Sequence, residues 1–355
     1  MNPELAGRRV VVTGASGFIG GAAVRALIAA GAQVTALTRS RDGARRFAAE
    51  GAKPVVTPLE PGARLDRALA GAEVLVHLAY DMRAGAEPNL AAFAAVLDVA
   101  RRAGIGHIVH VSSVVVYDAW PKGRIDEESS VGTRPAQGYR AAKIAMEEQL
   151  LAGPLAATIL QPTIVWGPGS ALWTERPMRQ LRAGGLVLPD PWGRAPLVHV
   201  EDVARAIVAA TALPAPGRAR VLISGPDTPG WNTLFEAYRT IVGGTLIREP
   251  AEFLCAALGP EARTSPAGPS ATARVSAALR RVLGHHRFEQ LLERAARLRP
   301  APPPARPAAA DLALFTASPL IDTSRAEALL GHVSLIGFED GLAMLRAHYA
   351  SLAGR

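Results

Sequence analysis

Short hydrophobic runs alternate with amphipathic segments along the first half of the chain. Runs without polar alternation predict strands buried on both faces, at 9–12, 33–38, 74–78 and 107–112. Between them, apolar residues at helical spacing predict helices at 18–30 and 89–103, which end at Gly31 and Gly104. Strands separated by helices predict the α/β class, with a Rossmann-type, doubly wound parallel sheet.

The pattern loosens after about Gly153. Further strands are predicted at 157–160 and 221–223, and a proline-rich linker at 300–307. Helices are predicted at 201–211, 231–242 and 274–298. We therefore expect a Rossmann domain at 1–165, with returning segments near 195–225, and a smaller, mainly C-terminal substrate lobe at 166–194 and 226–355.

Composition narrows the class of protein. Of the 355 residues, 49% are hydrophobic and 20% charged, which is typical of a folded globular protein. No apolar run reaches the ~18–20 residues that span a bilayer, and residues 1–9 do not resemble a signal peptide. Cys255 is the only cysteine, which excludes an intrachain disulfide and a cysteine metal cluster. We expect a cytoplasmic protein with no metal and no membrane contact.

The net charge of +8 invites a nucleic-acid interpretation. Arginine, however, supplies all but three of the 39 basic residues. This bias indicates a GC-rich genome more than a phosphate-binding surface. The arginine-rich stretch 274–299 is interpreted as a helix with a solvated basic face. No nucleic-acid partner is expected.

A glycine-rich turn, TGASGFIG, occupies 13–20, directly after a predicted strand and directly before a helix. Glycines in that context allow the backbone to approach a dinucleotide pyrophosphate, whose charge then lies at the helix N-terminus. The expected cofactor contacts here are Gly14, Ser16, Gly17, Phe18, Ile19 and Gly20.

The end of the second strand predicts which dinucleotide binds. It reads Leu37-Thr38-Arg39-Ser40-Arg41, with no acidic residue for a ribose 2′-hydroxyl. A guanidinium suits a 2′-phosphate. The expected cofactor is NADP with Arg39 as its main contact, assisted by Ser40 or Arg41; NAD is the alternative.

Tyr139 and Lys143 are four residues apart and therefore share one helical face. We expect the ammonium to lower the pKa of the phenol toward a range useful for proton transfer. Ser112 and Ser113 end the strand at 107–112, where ligands bind in open α/β sheets. A serine there can hydrogen-bond a substrate carbonyl. A nucleophilic serine is not expected, because no G-x-S-x-G motif surrounds it.

These motifs together resemble the extended short-chain dehydrogenase/reductases, of the NAD(P)-dependent epimerase/dehydratase type. The matching segments span nearly the whole chain: TGASGFIG, HLA at 77–79, Asn89 before a helix ending in ARRAG, SSVVVY at 112–117, YRAAK at 139–143, LQPTIVWGPG at 160–169, LVHVEDVARAI at 197–207 and IDTSRAEALLG at 321–331.

The resemblance implies a role for each matching residue. Tyr139 becomes the acid/base, Lys143 its partner and ribose ligand, and Ser113 the carbonyl-binding hydroxyl. His199 and Asp202 are expected to be structural. Further cofactor contacts are implied at Leu59, Leu78, Ala79, Asn89, Pro162 and Val165.

The chain also departs from the family pattern. The usual Asp, Gly, Arg and Tyr are replaced by Pro58, Asp118, Gln161 and Trp166. Val114 and Val115 occupy the places of the Asp-Glu pair of sugar dehydratases, which argues against water elimination. Of the two arginines that clamp a nucleotide diphosphate in epimerases, only a shifted Arg194 is found, and 307–319 has none.

The expected function is an NADP-dependent oxidoreductase that acts on a carbonyl, or the matching alcohol, of a small molecule. A nucleotide-sugar epimerase or reductase is the alternative, and a non-catalytic NADP-binding sensor is the third possibility. Substrate contacts are expected at Tyr80, Ser113, Trp166 and Arg194. A homodimer is left open, by analogy with the family.

Overall fold

The computed structural model describes residues 5–258 and 302–353. Its main element is a sheet of seven strands, all parallel to their neighbours: β1 (Arg9–Thr13), β2 (Gln33–Thr38), β3 (Lys53–Val56), β4 (Val74–His77), β5 (His107–Val111), β7 (Ala156–Pro162) and β11 (Arg218–Ile223). Their order is β3-β2-β1-β4-β5-β7-β11. The order reverses direction beside β1, where ligands of doubly wound sheets bind.

Helices cover both faces of this sheet: α1 (Phe18–Ala29), α2 (Arg41–Ala49), α3 (Ala63–Leu69), α4 (Ala86–Arg102), α5 (Gly138–Ala152) and α7 (Val200–Ala212). On one face, Val24 of α1 and Ile207 of α7 share a core with the sheet. On the other, Phe93 of α4 and Met146 of α5 do the same. Because both faces are buried, the strands need apolar residues at successive positions.

Shorter elements complete the unit that contains the sheet. They are β6 (Arg124–Ile125), β8 (Ile164–Trp166), β10 (Leu197–His199), β13 (Leu320–Ile321), α11 (Ser324–Leu330) and α12 (Phe338–Ala353). β8 pairs with β10, and β6 with β13, both in parallel. This first unit takes in the described residues up to Glu175, Arg194–Gly230 and those from Ala317 on.

A second unit consists of Arg176–Gly193 and the described part of Trp231–Thr316. Its elements are α6 (Arg176–Ala183), β9 (Leu186–Asp190), α8 (Trp231–Val242), β12 (Leu246–Pro250), α9 (Ala251–Ala257) and α10 (Ala309–Phe315). β9 and β12 form a parallel pair. The rings of Trp231, Phe235 and Phe315 pack together, with centroids 4.6–5.8 Å apart.

The α/β class, the parallel sheet and the predicted strands are confirmed, with ends shifted by a few residues. Helix α4 starts at Ala86, three residues before the predicted start, because Pro88 lies in the first turn, where a helix needs no N–H donor. The helix expected at 274–298 lies outside the described residues.

The division into units differs from the predicted domains. Residues 166–175 and those from 317 on belong to the unit with the sheet and not to the second lobe. The reason is long-range pairing: β13 adds to β6, and the Asp202 carboxylate accepts hydrogen bonds from the backbone N–H groups of Leu335 and Ile336. Sequence patterns that describe one segment at a time do not reveal such returns.

Candidate active site

The glycine-rich turn joins β1 to α1 and packs directly against the end of β4. Gly14 has a φ of +67°, and a Cβ there would lie 2.7 Å from the backbone nitrogen of Ala79. A Cβ on Gly20 would lie 2.1 Å from the carbonyl oxygen of Gly14. Gly17 caps α1 without a side-chain hydrogen bond. The first-turn N–H groups are therefore not covered by a capping side chain, as an anion-binding helix N-terminus requires.

A cavity of about 630 Å³ lies beside this turn, at the carboxyl ends of β1, β2, β3 and β4. Nine residues expected at the cofactor or substrate line it: Gly14, Ser16, Gly17, Arg39, Leu59, Leu78, Ala79, Tyr80 and Asn89. The size, the glycine floor and the helix N-terminus fit the adenosine and pyrophosphate part of a dinucleotide.

Other expected contacts do not line this cavity. Phe18, Ile19 and Val165 pack against a small core that includes Val200 and Ala204. Gly20 fills the tight contact with the turn itself. Pro162 ends β7 and is buried. A direct cofactor contact by any of these five positions remains a prediction.

Arg39 already has a carboxylate partner at the cavity. Its Nη1 lies 2.9 Å from Oδ2 of Asp81, and both residues line the cavity. Hydrogen bonds from the Arg83 backbone N–H and from Arg39 hold the pKa of Asp81 below its usual value. Asp81 carries no motif in the sequence, because it follows the HLA segment in a loop and pairs with a residue 42 positions away.

Asn89 fixes the loop that carries Asp81. Its Oδ1 accepts a 2.7 Å hydrogen bond from the Asp81 N–H, and its Nδ2 donates to the carbonyls of Asp81 and Gly85 at 3.0 and 2.9 Å. The amide is 8% exposed. Asn89 therefore shapes the cavity wall, and its polar atoms are already used by the protein.

Tyr139 and Lys143 lie on α5, with Tyr80 against both. The Tyr80 and Tyr139 rings meet edge to face, with centroids 4.9 Å apart. The Lys143 Nζ lies 5.3 Å from the centroid of the Tyr80 ring and 5.8 Å from that of the Tyr139 ring. The expected pairing on one helical face is therefore present, and Tyr80 joins it from the wall of the cavity.

The sequence predicts that Lys143 lowers the pKa of Tyr139, but in the structure this pKa is raised, so the predicted direction is wrong. Burial raises the pKa of Tyr139 to about 12, and a hydrogen bond with Ser113 opposes that rise only in part. Desolvation outweighs any effect of the lysine, whose Nζ lies 5.8 Å from the centroid of the Tyr139 ring. At neutral pH the group is a protonated phenol, the form that donates a proton.

Lys143 is 3% exposed, and its Nζ donates a 2.7 Å hydrogen bond to the carbonyl of Val111. Burial lowers the pKa of Lys143 to about 8, while the charge of Glu147 acts in the opposite direction. Lys143 therefore joins the helix of Tyr139 to the end of β5, the strand that leads into Ser113.

Ser113 begins the short 3₁₀ turn Val114–Val116 that follows β5. Its Oγ accepts a 3.4 Å hydrogen bond from the Val115 N–H. This bond holds the hydroxyl at the carboxyl end of the sheet, close enough to Tyr139 to lower the pKa of that phenol. The predicted acid/base Tyr139, its partner Lys143 and the predicted carbonyl-binding Ser113 thus lie near one another at the end of β5.

The substitution at Gln161 is compensated by its neighbours. Gln161 donates to both oxygens of Glu147, at 2.9 and 3.1 Å, and accepts from the Tyr117 hydroxyl at 2.6 Å. Arg220 of β11 supplies the positive charge, with Nε 2.7 Å from the Glu147 carboxylate. Glu147, at the centre of this network, lies on the same helix as Lys143, one turn further on.

Two buried histidines form a pair that sequence reasoning missed. Nδ1 of His77 lies 3.1 Å from Nδ1 of His110, on the adjacent strands β4 and β5. Burial, and then the charge of Lys143, lower the pKa of His77 to about 3 and that of His110 well below its usual value. Both rings are neutral near pH 7. Only the strand register, which aligns these positions, reveals the pair.

Residues expected to be structural behave so. His199 caps α7 by accepting a hydrogen bond from the Glu201 N–H at 3.3 Å.

Trp166, a suggested substrate contact, is 1% exposed and packs against His199 and Phe338. Because so little of its surface is exposed, Trp166 is not proposed as a substrate contact. Arg194 is exposed and donates to the Thr228 hydroxyl at 3.4 Å.

Two negative findings apply to residues 5–258 and 302–353. No group of three or more metal-ligating side chains occurs there. Nor does any helix in these ranges combine the length and apolar character needed to cross a membrane.

The family model of the NAD dependent epimerase/dehydratase family matches residues 10–223, which include the glycine turn, Ser113, Tyr139 and Lys143. The chain belongs to this family. That membership agrees with the cavity and with the arrangement of the three residues beside it.

Several curated relatives carry the names of reductases. A 4-hydroxy-2-methyl-3-oxo-4-farnesyl-3,4-dihydroquinoline-1-oxide ketoreductase of Stigmatella aurantiaca is 36% identical over 45% of this chain and 51% of its own length. A ceramide reductase of Caulobacter vibrioides is 32% identical over 68% and 73%. A 2-alkyl-3-oxoalkanoate reductase of Stenotrophomonas maltophilia is 28% identical over 59% and 67%. The match thus spans about half the length of the first of these relatives.

Solved structures share the fold. A UDP-glucose 4-epimerase of Thermotoga maritima, solved with UDP-glucose, has a TM-score of 0.67 at 18% identity, over 97% of this chain and 99% of that one. A dTDP-glucose 4,6-dehydratase of Streptomyces venezuelae has a TM-score of 0.68 at 20% identity, over 98% of both chains. At such identities the likeness concerns the fold alone.

Proposed function

We propose that the protein is an NADP-dependent reductase of a ketone that carries a long apolar chain. The observation that carries this proposal is the placement of Tyr139 and Lys143 on one face of α5, against Tyr80 of the cavity wall, with Lys143 bound to the end of the strand that leads into Ser113. A neutral phenol is the proton donor that reduction of a carbonyl requires.

The chemistry follows from the positions of the three residues. The hydride for the carbonyl carbon would come from a reduced nicotinamide bound beside these residues. The Ser113 hydroxyl holds the carbonyl oxygen, and Tyr139 delivers its proton to that oxygen as negative charge develops. Lys143 is anchored at the Val111 carbonyl and fixes the helix position of the phenol.

The apolar substrate is supported by two considerations. The three relatives named above are reductases whose names include a farnesyl, a ceramide or an alkyl group. In addition, 307–319 contains no arginine to clamp a diphosphate, and the Arg194 side chain binds Thr228. A nucleotide sugar would therefore lack charge-assisted partners there.

NADP as the cofactor rests on Arg39, which lines the cavity, and on the absence of an acid at the end of β2. The cytoplasm is retained as the expected location, on the single Cys255 of the sequence. A homodimer and the lack of a nucleic-acid partner remain predictions from the sequence.

Oxidation of NADPH is the direct test. The purified protein would be assayed with a 2-alkyl-3-oxo acid, a short-chain ketone and UDP-glucose, beside the Tyr139→Phe variant. We expect turnover of the alkyl ketone above that of the short ketone, and a loss of about 10²–10⁴ in kcat on removing the hydroxyl.

Other outcomes would replace the proposal. Epimerisation of UDP-glucose in the presence of NAD, with no net NADH formed and no turnover of either ketone, would make the protein an epimerase. Tight NADPH binding without turnover of a broad carbonyl panel would favour the non-catalytic sensor.

A further inference from the structure

Arg140 directly follows Tyr139 on α5, and its guanidinium points back into the serine turn. Nε donates a 2.9 Å hydrogen bond to the carbonyl of Val115, and Nη2 donates at 3.2 Å to the carbonyl of Val116. Nη2 also pairs with Oδ1 of Asp118. The side chain is only 22% exposed, although arginine usually lies at the surface.

Asp118 is the second half of this arrangement and is 7% exposed. Its Oδ2 accepts hydrogen bonds from the backbone N–H of Thr133, at 2.9 Å, and from the Thr133 hydroxyl. Its Oδ1 accepts from the Arg134 N–H at 3.3 Å. One carboxylate thus anchors the loop before α5 as well as the guanidinium on α5.

The atoms held by Arg140 belong to the turn that begins at Ser113. Val115 and Val116 lie in that 3₁₀ turn, and Asp118 follows it. A single guanidinium therefore connects the helix of the proton donor to the turn of the carbonyl-binding serine. Its planar fork can meet two carbonyls and a carboxylate at once, whereas a lysine ammonium cannot reproduce that geometry.

We propose that Asp118 and Arg140 are positioning residues that set the distance between the Ser113 and Tyr139 hydroxyls. The effect of the Asp118–Arg140 pair on catalysis rests on the proposed reductase function. Its effect on the positions of the two hydroxyls is independent of that function.

Kinetics of Arg140→Lys, Arg140→Met and Asp118→Asn provide one test. Because a misplacement of about 1 Å can cost about 10²-fold in rate, we expect kcat for the ketone to fall about 10- to 100-fold in all three. The KM for NADPH should stay unchanged, as neither residue lines the dinucleotide cavity. Lysine should rescue little of the loss seen with methionine.

The matched control is Arg101→Lys with Asp98→Asn, an exposed ion pair of 3.1 Å on α4. These variants should keep the wild-type kcat. If Arg140→Lys lowers only the melting temperature and keeps both kcat and the pH profile, the pair is merely structural and the proposal is overturned.

A second measurement needs no substrate. Ultraviolet absorbance follows tyrosinate formation in the free protein, and the difference from the Tyr139→Phe variant isolates Tyr139. Because Ser113 lowers the pKa of Tyr139, a Ser113 hydroxyl that moves away should shift the Tyr139 titration to higher pH in Arg140→Lys. An unchanged Tyr139 titration in Arg140→Lys would overturn the positioning proposal, whether or not a ketone reacts. A shifted titration without turnover of any ketone would support the positioning role of the pair and reject the reductase function.

Discussion

The Nε of Arg220 lies 2.7 Å from a carboxylate oxygen of Glu147, whose side chain is fully buried. The two residues are 73 positions apart and lie on different elements, β11 and α5. Gln161 donates hydrogen bonds to the same carboxylate but carries no charge. Arg220 is therefore the cation that balances a buried acid one turn beyond Lys143.

Replacing Arg220 by Met should destabilise the fold. An isolated buried carboxylate costs about 3 kcal/mol of unfolding free energy, and urea unfolding at neutral pH would measure it. The double variant with Glu147→Gln should recover part of that loss, because the remaining groups are neutral. A single variant as stable as the wild type would show that Gln161 alone satisfies Glu147.

The pairing of Arg39 with Asp81 predicts opposite effects of two variants on cofactor binding. Arg39→Ala should weaken NADPH binding about 10-fold or more, through loss of a charged hydrogen bond. NADH binding should change little. Asp81→Asn should tighten NADPH binding, because the guanidinium no longer has a competing carboxylate. Fluorescence titration with both nucleotides checks this; equal changes for NADH and NADPH would reject a contact with the 2′-phosphate.

Lys143 should contribute less to stability than a neutral residue would. Its folded pKa of about 8 lies below the usual 10.5, so below pH 8 the fold holds a desolvated ammonium. Between about pH 8 and pH 10.5, Lys143 is protonated in the unfolded chain but neutral in the folded protein. The unfolding free energy therefore rises with pH in this range. Lys143→Met should thus stabilise the protein near pH 7 by up to about 3 kcal/mol, while activity is lost.

Urea unfolding of this variant and the wild type, at about pH 7 and about pH 10, measures the difference. The advantage of the methionine should shrink toward the higher pH. A constant difference would mean that packing, and not the charge, separates the two proteins.

Acid should destabilise the protein through its buried histidines. Burial lowers the pKa of His77 to about 3, of His107 and His332 to about 4, and of His110 well below 6.5. As pH falls below 6.5, these histidines bind protons in the unfolded chain, whereas in the folded protein they stay neutral. Unfolding free energy should then fall by up to about 1.4 kcal/mol per pH unit for each histidine.

The variant His107→Gln tests this slope, since glutamine can still hydrogen-bond the Thr158 hydroxyl as His107 does at 2.9 Å. The slope of stability against pH between about 6 and about 5 should decrease by one histidine's share. His348→Gln, on α12, is the matched control. A slope unaltered by His107→Gln would exclude this histidine as a source of acid sensitivity.

Much of the fold can be predicted from the sequence because it depends on the local periodicity of hydrophobic residues. The run 33–38 was predicted as a strand and is one, and the glycine turn, the Tyr139–Lys143 spacing and the serine at the end of β5 follow from short motifs. Such motifs fix local geometry, and the parallel sheet then brings their carboxyl ends together.

What the sequence did not reveal depends on distant pairs and on desolvation. Asp81 reaches Arg39, and Arg220 reaches Glu147, only through the register of the sheet and the path of its loops. The sign of the Tyr139 pKa shift depends on how much water the phenol loses, which spacing to Lys143 cannot weigh.

The position of β11 has a consequence for the newly made chain. This strand closes one side of the sheet, yet it follows the whole stretch from Thr163 to Gly217. While that stretch is being translated, the outer edge of β7 has no partner strand. An unpaired edge of this kind is a template for aggregation. The nascent sheet therefore keeps an aggregation-prone edge at β7 until Ile223 has emerged.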